Sequence, residues 1–570
     1  DVVSLVTEPE NFWGESGIYQ HYNSGEERPI HIEYFDKEGF TAFQLDAGVK
    51  IHSPDNRAQK SLRLYARDEY GTESIDYKIF ENKDICHFKR LILRNGGNDG
   101  AQIRKTQIRD AYVHSIYQNL NPDYACSAYK AVHVFINGNY WGIYNLRERQ
   151  DEYYMKDNYG YEADEIDFLE YDYAEPGIQK TICGDWQDFE NMKAFVINND
   201  MSVKQNYGII KNWIDIDNFI DYQITEILIG NQDWCNNNIK FWRPKATGGK
   251  WKWVLWDTDY ALGTYRTFAV GEPEFDFFTF AMQWGGWGDD DYTWLLRNLM
   301  DNENFKYHFI IRSLDLLNSG LKPSFTLQHF DSLANGIGID MYRQFEKWGS
   351  SASIWENDLN YARNFIEQRP SNYLGHIAQY YGFEPYTFNI TLDVNDPGMG
   401  YLKINTIELK KGSPGIGANT YPWEGVYYES LPIDITAITK PGYRFVKWEG
   451  DISSKDTRLN IQLESDTYLK AIFEKDPGTA INDNDNQLPG ISIFPQPAND
   501  FVNIRFNNCP DDQISLKITN LSGQCIIKEH IQVSEGSNTR LNISSLRPGV
   551  YIMTAFFRNA AFYSDRIIVK

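Results

Sequence analysis

Three side chains in the middle of the chain have the types and spacing that phosphoryl transfer requires. Asp233 lies five residues before Asn238 in the segment GNQDWCNNN, and Asp257 follows the apolar run WVLW. Phosphoryl transfer needs a carboxylate that accepts the proton of the attacking hydroxyl, and oxygen ligands that hold Mg²⁺ against nucleotide phosphates. On this pattern Asp233 is the candidate general base, and Asn238 and Asp257 are candidate metal ligands.

The same residues have a purely structural alternative. Loops rich in Asn commonly form turns or caps, and an Asp followed five residues later by an Asn is a common pattern. The acidic residues that end the apolar strand favour the chemical interpretation, because carboxylates in that position seldom serve packing. Protein kinases place a base Asp, a metal-binding Asn and a second metal-binding Asp in this order, with a hairpin before the last.

Two regions of different pattern would position these side chains. From about Arg28 to Tyr154, β-branched and aromatic residues are punctuated by Gly and Asn, which predicts strands with one helix near Ile103 to Leu120. From about residue 214 to 383, apolar residues recur three and four positions apart, which predicts helices. A hairpin with Thr247-Gly248-Gly249 at its turn interrupts them. We expect a cleft between a β-rich lobe and a helical lobe.

The remainder of the chain lacks the helical pattern. Residues 384–475 alternate apolar and polar positions in successive short segments, which predicts a small β-domain. Residues 476–490 are rich in Asp, Asn, Gly and Pro and read as a linker. Residues 491–570 read as a second all-β module of sandwich type. The predicted fold class is α+β, with a two-lobed domain over residues 1–383 followed by two all-β modules.

Composition excludes several classes of protein. The chain carries 55 Lys and Arg against 79 Asp and Glu, a formal net charge of −24. Nucleic-acid phosphates and anionic lipids repel such a chain, so we expect no nucleic-acid partner. No apolar run reaches the roughly 20 residues of a transmembrane helix. The chain opens at Asp1 without a leader, so we expect a cytoplasmic protein or a mature chain whose leader was removed.

Cysteine usage adds little. The six Cys residues include no CxxC pair and no His at zinc spacing, so a thiolate metal site is not expected. Cys509 and Cys525 could pair within the last module.

An ordered series of short segments resembles the CotH kinase family, whose members are divergent, secreted relatives of protein kinases. The segments, all between Asp1 and Gly382, are DAGVKI (46–51), QKSLRL (59–64), LRNGGND (93–99), INGNYWGIY (136–144), LRER (146–149), NQDWCNNN (231–238) and WDTD (256–259). The resemblance implies a kinase-like fold, ATP and a divalent metal such as Mg²⁺ as cofactors, and phosphorylation of a protein hydroxyl.

Carried over by position, the resemblance gives roles to four residues. Asp233 matches the catalytic Asp, and Asn238 and Asp257 match the metal ligands. Asp259 either takes a second metal or caps the next turn.

The residues that would grip the nucleotide are less clearly marked. Lys60, on the predicted strand KSLRLYAR, is the candidate nucleotide-binding Lys, and its alternative is a solvent-facing strand residue. Arg63 is a further candidate, but strand alternation places it on the face opposite to Lys60. Glu148 either pairs with Lys60, as the helix Glu does in protein kinases, or is a surface charge. The segment His52–Arg57 contains no glycine where the family usually has a glycine-rich turn, so no glycine-rich phosphate cradle is seen.

The two tail modules also resemble known families. Residues 491–570 resemble the type IX secretion C-terminal sorting domain through FPQPA (494–498), LSGQ (521–524) and LRPGVY (546–551). The alternative is an ordinary β-sandwich binding module. Residues 384–475 resemble a bacterial surface β-repeat through GYRFVKW (442–448), with a role as spacer or adhesion module.

These resemblances predict a secreted or surface-exposed kinase whose partners are the secretion machinery and an unidentified protein substrate. The alternative function is a non-catalytic surface protein whose cleft and aromatic residues bind protein or glycan. The missing glycine cradle and the scarcity of ATP outside cells favour this alternative. The presence of Asp233, Asn238 and Asp257 as the right residue types favours the enzyme.

Overall fold

The computed structural model describes residues 1–53, 57–101, 104–172, 178–235, 237–264, 269–283, 292–476, 490–494, 498–507, 512–520, 525–533, 538–557 and 560–569. The chain divides into two compact units, Asp1–Glu474 and Lys475–Lys570. The mixed α+β class is confirmed. Most of the predicted linker, residues 54–56 of the glycine-free segment, and Cys509 lie outside the described residues.

The first part of the larger unit is a closed β-barrel. The barrel strands are β1 (Val2–Val6), β2 (Arg28–Phe35), β3 (Thr41–Ile51), β4 (Leu62–Tyr65), β7 (Arg90–Arg94), β8 (Tyr129–Ile136) and β9 (Asn139–Glu148). The strands β5 (Ile75–Asp76) and β6 (His87–Phe88) form a separate two-stranded sheet. Neighbours around the barrel follow the order β1-β2-β3-β4-β7-β9-β8, and β1 pairs in parallel with β8 to close it. Alternate residues such as Leu5, Ile32 and Leu93 fill the interior, which confirms the predicted strand-rich region.

Three helices accompany the barrel: α1 (Pro9–Trp13), α2 (Asn98–Ala101) and α3 (Arg109–Leu120). The helix predicted from Ile103 therefore begins six residues later, and Ile103 itself lies outside the described residues. Asp99 explains the late start. Its Oδ1 accepts a hydrogen bond from Thr106 N at 2.7 Å, and its Oδ2 accepts one from Arg109 N at 3.0 Å. Asp99 thus holds the preceding segment in a turn and caps α3.

The second part of the unit is mainly helical, as predicted. Its helices are α4 (Glu152–Tyr159), α5 (Gln187–Asn198), α6 (Lys204–Trp213), α7 (Ile216–Ile229), α8 (Phe277–Gln283), α9 (Trp294–Met300), α10 (Glu303–Leu317), α11 (Pro323–Gly338), α12 (Met341–Trp348) and α13 (Ala352–Tyr381). Short 3₁₀ turns lie at Asp68–Tyr70 in the barrel and at Ala163–Glu165 and Ala269–Gly271.

A small sheet crosses this helical region in the order β11-β10-β12-β13. Its strands are β10 (Ile166–Asp172), β11 (Ile178–Cys183), β12 (Ile239–Pro244) and β13 (Lys252–Val254). The antiparallel pair β12–β13 confirms the predicted hairpin. Helix α7 is buried at every position except Asp217, so it forms a fixed base for the loop that joins it to β12.

Eight further strands, which we call the β-domain, complete the larger unit. They are β14 (Thr387–Val394), β15 (Gly400–Ile404), β16 (Ile407–Leu409), β17 (Trp423–Tyr428), β18 (Ile433–Thr439), β19 (Tyr443–Gly450), β20 (Arg458–Ile461) and β21 (Thr467–Lys475). They form two four-stranded sheets, β17-β14-β21-β19 and β16-β15-β18-β20. Residues of the β-domain such as Ile404 and Tyr427 share one apolar core with Leu314 and Tyr373 of the helices.

The C-terminal unit is all-β, as predicted. Its strands are β22 (Gly490–Phe494), β23 (Phe501–Asn507), β24 (Asp512–Thr519), β25 (Cys525–Val533), β26 (Asn538–Asn542), β27 (Gly549–Phe557) and β28 (Ala560–Val569). They form the sheets β22-β23-β26 and β25-β24-β27-β28. Ile504, Leu516 and Met553 belong to one buried core that both sheets contribute to. Cys525 is exposed.

Candidate functional site

The loop after α7 carries Asp233, and buried contacts fix its backbone. Helix α7 ends at Ile229 and is capped by Gly230, whose φ is +60°. A Cβ at Gly230 would lie 2.9 Å from the ring of Phe365, so a side chain there would clash. The next residue, Asn231, is fully buried and donates from Nδ2 to Glu226 Oε2 at 2.9 Å. Asn231 Oδ1 in turn accepts a hydrogen bond from Asp233 N at 3.2 Å. The backbone at Asp233 is therefore fixed by two buried polar side chains.

The structure brings together the three residues that the sequence singled out. Asp233 Oδ2 accepts hydrogen bonds from Nδ2 of Asn238 at 2.9 Å and from Nδ2 of Asn237 at 3.0 Å. Asn238 Nδ2 also lies 3.2 Å from the carbonyl oxygen of Asp257. Asn238 and Asp257 both adopt positive φ, at +58° and +53°. Such left-handed backbone in non-Gly residues is costly and clusters at functional sites.

The environment of Asp233 suits a proton acceptor. Burial raises the pKa of its carboxyl above the ordinary value, and the nearby negative charge of Asp257 raises it further. The hydrogen bonds from Asn237 and Asn238 act in the opposite direction. A carboxylate with a raised pKa takes up a proton more readily near neutral pH.

Arg94, at the end of β7, lies against the acidic residues that follow β13. Its Nη2 lies 2.6 Å from Asp259 Oδ2 and also contacts Asp257 Oδ1, and its Nη1 lies 3.8 Å from Asp110 Oδ2. Burial lowers the pKa of Arg94, but these three carboxylates outweigh it and raise that pKa well above the usual value. Sequence reasoning did not select Arg94, although it stands in the quoted segment LRNGGND. Its position at a strand end beside a glycine pair was the signal.

Asp259 is engaged by the turn that follows β7. Its Oδ2 accepts a hydrogen bond from Asn98 N at 2.8 Å, and its Oδ1 accepts one from Asn98 Nδ2 at 3.2 Å. Gly97 permits this approach, because a Cβ there would lie 2.0 Å from Asp259 Oδ2. Burial raises the pKa of Asp259 to about 7, and the charge of Asp257 adds to the effect. Asp259 thus fixes the turn to the acidic segment.

A cavity of about 440 Å³ opens beside Asp257. Its lining is mixed in charge, with the basic residues Arg63, Arg94, Arg147, Arg149, Lys180 and Lys240 and the acidic residues Asp110, Glu148, Asp151, Glu152, Glu170 and Asp257. The volume lies within the range of small-molecule and cofactor sites. The basic side chains supply contacts for an anionic ligand, and an equal number of acidic side chains lines the same cavity.

The predicted pair of Lys60 and Glu148 is replaced by other contacts. Lys60 Nζ donates to the carbonyl of Arg57 at 2.9 Å and lies 4.4 Å from the ring centre of Tyr22. Glu148 lines the cavity, but its Oε2 lies 2.5 Å from Nζ of Lys83. Lys60 precedes β4 and is not among the residues that line the cavity.

Arg63 does line the cavity, where its Nε donates to His52 Nδ1 at 2.7 Å. Burial and the positive charge of Arg63 both lower the pKa of His52 well below its usual value. A neutral His52 accepts this hydrogen bond and leaves the charge of Arg63 directed to the cavity.

Comparison with protein-family models identifies the family of this chain. A model described as CotH kinase protein matches residues 52–373, which is more than half of the chain. The chain belongs to the CotH kinase family. The matched range contains Asp233, Asn238, Asp257 and the Arg94 segment. The comparison with curated proteins found no match.

A second model, described as a secretion system C-terminal sorting domain, matches residues 492–570 of this CotH-family protein. The matched range is the C-terminal all-β unit. The protein is therefore a secreted or cell-surface member of its family, as predicted. Within the described residues, no helix is both long enough and apolar enough to cross a membrane.

Proposed function

We propose that this CotH-family protein is an ATP- and Mg²⁺-dependent kinase that transfers the γ-phosphate of ATP to a protein hydroxyl. The observation that carries the proposal is that Asn238 Nδ2 bonds both Asp233 Oδ2 and the backbone carbonyl of Asp257, and Asp257 lines the cavity of mixed charge. Protein kinases use a base Asp, a metal-binding Asn and a metal-binding Asp in this order for phosphoryl transfer.

The proposal extends to the architecture. The barrel with α3 would be the first lobe of a kinase-like fold, and helices α4–α13 the second. Strand β9 leads through Gln150 into the helical region, and Gln150 Nε2 donates to the carbonyl of Leu255 at 2.9 Å. This bond links the chain crossing between the two parts to the segment that joins β13 to Asp257.

The donor set fits Mg²⁺. Asn238 uses its Nδ2 for hydrogen bonds, which leaves its Oδ1 as the ligand atom, and the Asp257 side chain is 29% exposed. Protein Mg²⁺ sites commonly use one or two carboxylates and complete the shell with water and phosphate oxygens. Among the described residues, no group of three or more His, Cys, Asp or Glu side chains is arranged to hold a metal by itself. Bound beside Asp257, Mg²⁺ would neutralise charge on the phosphates during transfer.

Separate residues would then accept the proton and bind the phosphates. Asp233 orients the acceptor hydroxyl and accepts its proton, for which its raised pKa suits it. Arg63, Arg149 and Lys240 face the cavity and supply positive charge for the polyphosphate. Burial lowers the pKa of Lys240, and its Nζ lies 3.4 Å from the ring centre of Trp256. In this proposal these three cations bind the phosphates in place of a glycine-rich turn and of Lys60.

Nucleotide binding with and without Mg²⁺ tests the proposal. Asp257→Ala should remove the Mg²⁺-dependent part of ATP affinity, because it deletes a ligand while the backbone remains. The measurement is titration calorimetry with ATPγS, on variants whose circular dichroism matches the wild type. Asp331→Ala is the matched control, because Asp331 is 44% exposed and pairs only with Arg363 on α13.

Unchanged Mg²⁺–ATPγS affinity in folded Asp257→Ala would overturn the metal role. A wild-type protein that binds no nucleotide would favour the non-catalytic alternative, in which the cleft and the aromatic residues bind protein or glycan.

A further inference from the structure

The positively charged guanidinium of Arg94 lies between the carboxylates of Asp257 and Asp259. Its Nη2 contacts both Asp257 and Asp259, and its side chain is only 14% exposed. Asp257 is also the residue that the proposed function assigns to Mg²⁺. A monovalent guanidinium and a divalent ion beside the same carboxylate repel one another, so their binding to Asp257 is mutually unfavourable.

We propose that Arg94 is an exchangeable cation of this site and a phosphate-binding residue. Without metal it neutralises Asp257 and Asp259. When Mg²⁺ and nucleotide are bound, the guanidinium leaves Asp257 and bonds the phosphate oxygens in the cavity that it lines. The inference rests on the proposed function, because it requires the same metal and nucleotide site.

The surroundings of Arg94 allow this exchange. Its Nη1 lies 3.8 Å from Asp110, which stays in place because Arg147 Nη1 bonds it at 2.5 Å and Thr258 N donates to it at 2.9 Å. Asp259 keeps its two hydrogen bonds from Asn98 when Arg94 moves. Arg94 can therefore turn about a fixed carboxylate without leaving Asp259 unpaired. A planar guanidinium suits both the carboxylates and a phosphate.

If Arg94 exchanges in this way, its replacement should raise the affinity for the metal alone and lower the affinity for the nucleotide. Arg94→Gln removes the competing charge, so Mn²⁺ alone should bind about 10-fold more tightly, as expected for loss of one charge beside a carboxylate. The same change removes a charge-assisted bond to phosphate, so ATPγS affinity in the presence of Mn²⁺ should fall about 10- to 100-fold. A residue that only stabilised the fold would not raise metal affinity.

The experiment uses the full chain and Mn²⁺ as the probe. Free Mn²⁺ is measured by electron paramagnetic resonance, first without nucleotide and then with ATPγS. Arg63→Gln is the matched control, because Arg63 lines the same cavity but bonds His52 rather than an acidic residue. It should weaken ATPγS binding and leave Mn²⁺ affinity unchanged. In the double variant Arg94→Gln with Asp257→Ala, the gain in Mn²⁺ affinity should vanish.

A second variant keeps the test valid if Arg94→Gln does not fold. Arg94→Lys retains the charge, but its ammonium lacks the planar fork that contacts both carboxylates, so Mn²⁺ affinity should rise by a smaller factor, about threefold.

Wild-type binding of Mn²⁺–ATPγS with unchanged or weaker Mn²⁺ affinity in the folded Arg94 variant would overturn the exchange and leave the proposed function standing. No ATPγS binding by the wild type, with or without Mn²⁺, would overturn both.

Discussion

Removal of the Asp315 carboxylate should weaken the larger unit strongly, because this residue joins α10 to the β-domain. Asp315 is fully buried. Its Oδ1 accepts hydrogen bonds from Asn405 Nδ2 at 3.0 Å and Tyr427 OH at 2.8 Å. Its Oδ2 accepts them from Thr406 N at 2.8 Å and Thr406 Oγ1 at 2.6 Å. All four donors belong to the β-domain.

The expected magnitude follows from these contacts. In Asp315→Ala four donors lose their acceptor, Tyr427 OH being fully buried and the donors of Asn405 and Thr406 partly buried, and each buried donor left unsatisfied costs about 1–3 kcal/mol. Two effects reduce the sum. Water or side-chain movement satisfies some donors, and the desolvation of the carboxylate, which raises the pKa of Asp315, is relieved. The net loss in the free energy of unfolding should therefore be about 3–5 kcal/mol, the range for breaking a buried charged network.

The measurement is urea unfolding of the wild type and Asp315→Ala, followed by tryptophan fluorescence. Asp331→Ala is the control, since its exposed pair with Arg363 should contribute only about 0–1 kcal/mol. A loss below about 1 kcal/mol in Asp315→Ala, equal to that control, would refute the conclusion that these bonds hold the β-domain to α10.

Two further predictions concern pH and truncation. Burial raises the pKa of Glu226 to about 8, well above the ordinary value of a glutamate side chain, so the folded state holds the proton and stability should fall as pH rises between that ordinary value and about 8. Glu226→Gln should flatten this dependence in urea unfolding at pH 5 and 9, and equal slopes would contradict it. A chain ending at Lys475 should keep its ATPγS affinity, whereas one ending at Phe383, which lacks the partners of Asp315, should not fold, as gel filtration and calorimetry would show.

Much of the candidate site could be predicted from the spacing of residues that are close in sequence. The offset between Asp233 and Asn238 and the apolar strand before Asp257 are properties of neighbouring residues, and in the structure the Asn238 side chain bonds the Asp233 carboxylate and the backbone carbonyl of Asp257. The hairpin β12–β13 followed from the same local signal, because its turn carries two glycines. The roles of the three residues stay predictions until nucleotide binding is measured.

Contacts between distant residues could not be predicted in the same way. Lys83, rather than Lys60, pairs with Glu148, and 65 positions separate the two partners. Arg94 lies 163 positions from Asp257, so no local pattern links them. The start of α3 shifted because Asp99 bonds Thr106, a tertiary contact that overrides helical periodicity. For the same reason the bonds between Asp315 and the β-domain were not foreseen for a segment interpreted as a spacer.

Transfer of labelled phosphate by the wild type and by Asp233→Asn tests the central claim most directly. A general base contributes about 10²–10⁴-fold to rate and little to ground-state affinity. The amide keeps the size of the side chain, so Mg²⁺–ATP affinity should remain close to that of the wild type. Incorporation of γ-phosphate from ATP into the protein itself or into co-secreted proteins should then fall by that factor. Equal incorporation by the two proteins would contradict the assignment of Asp233 as the base.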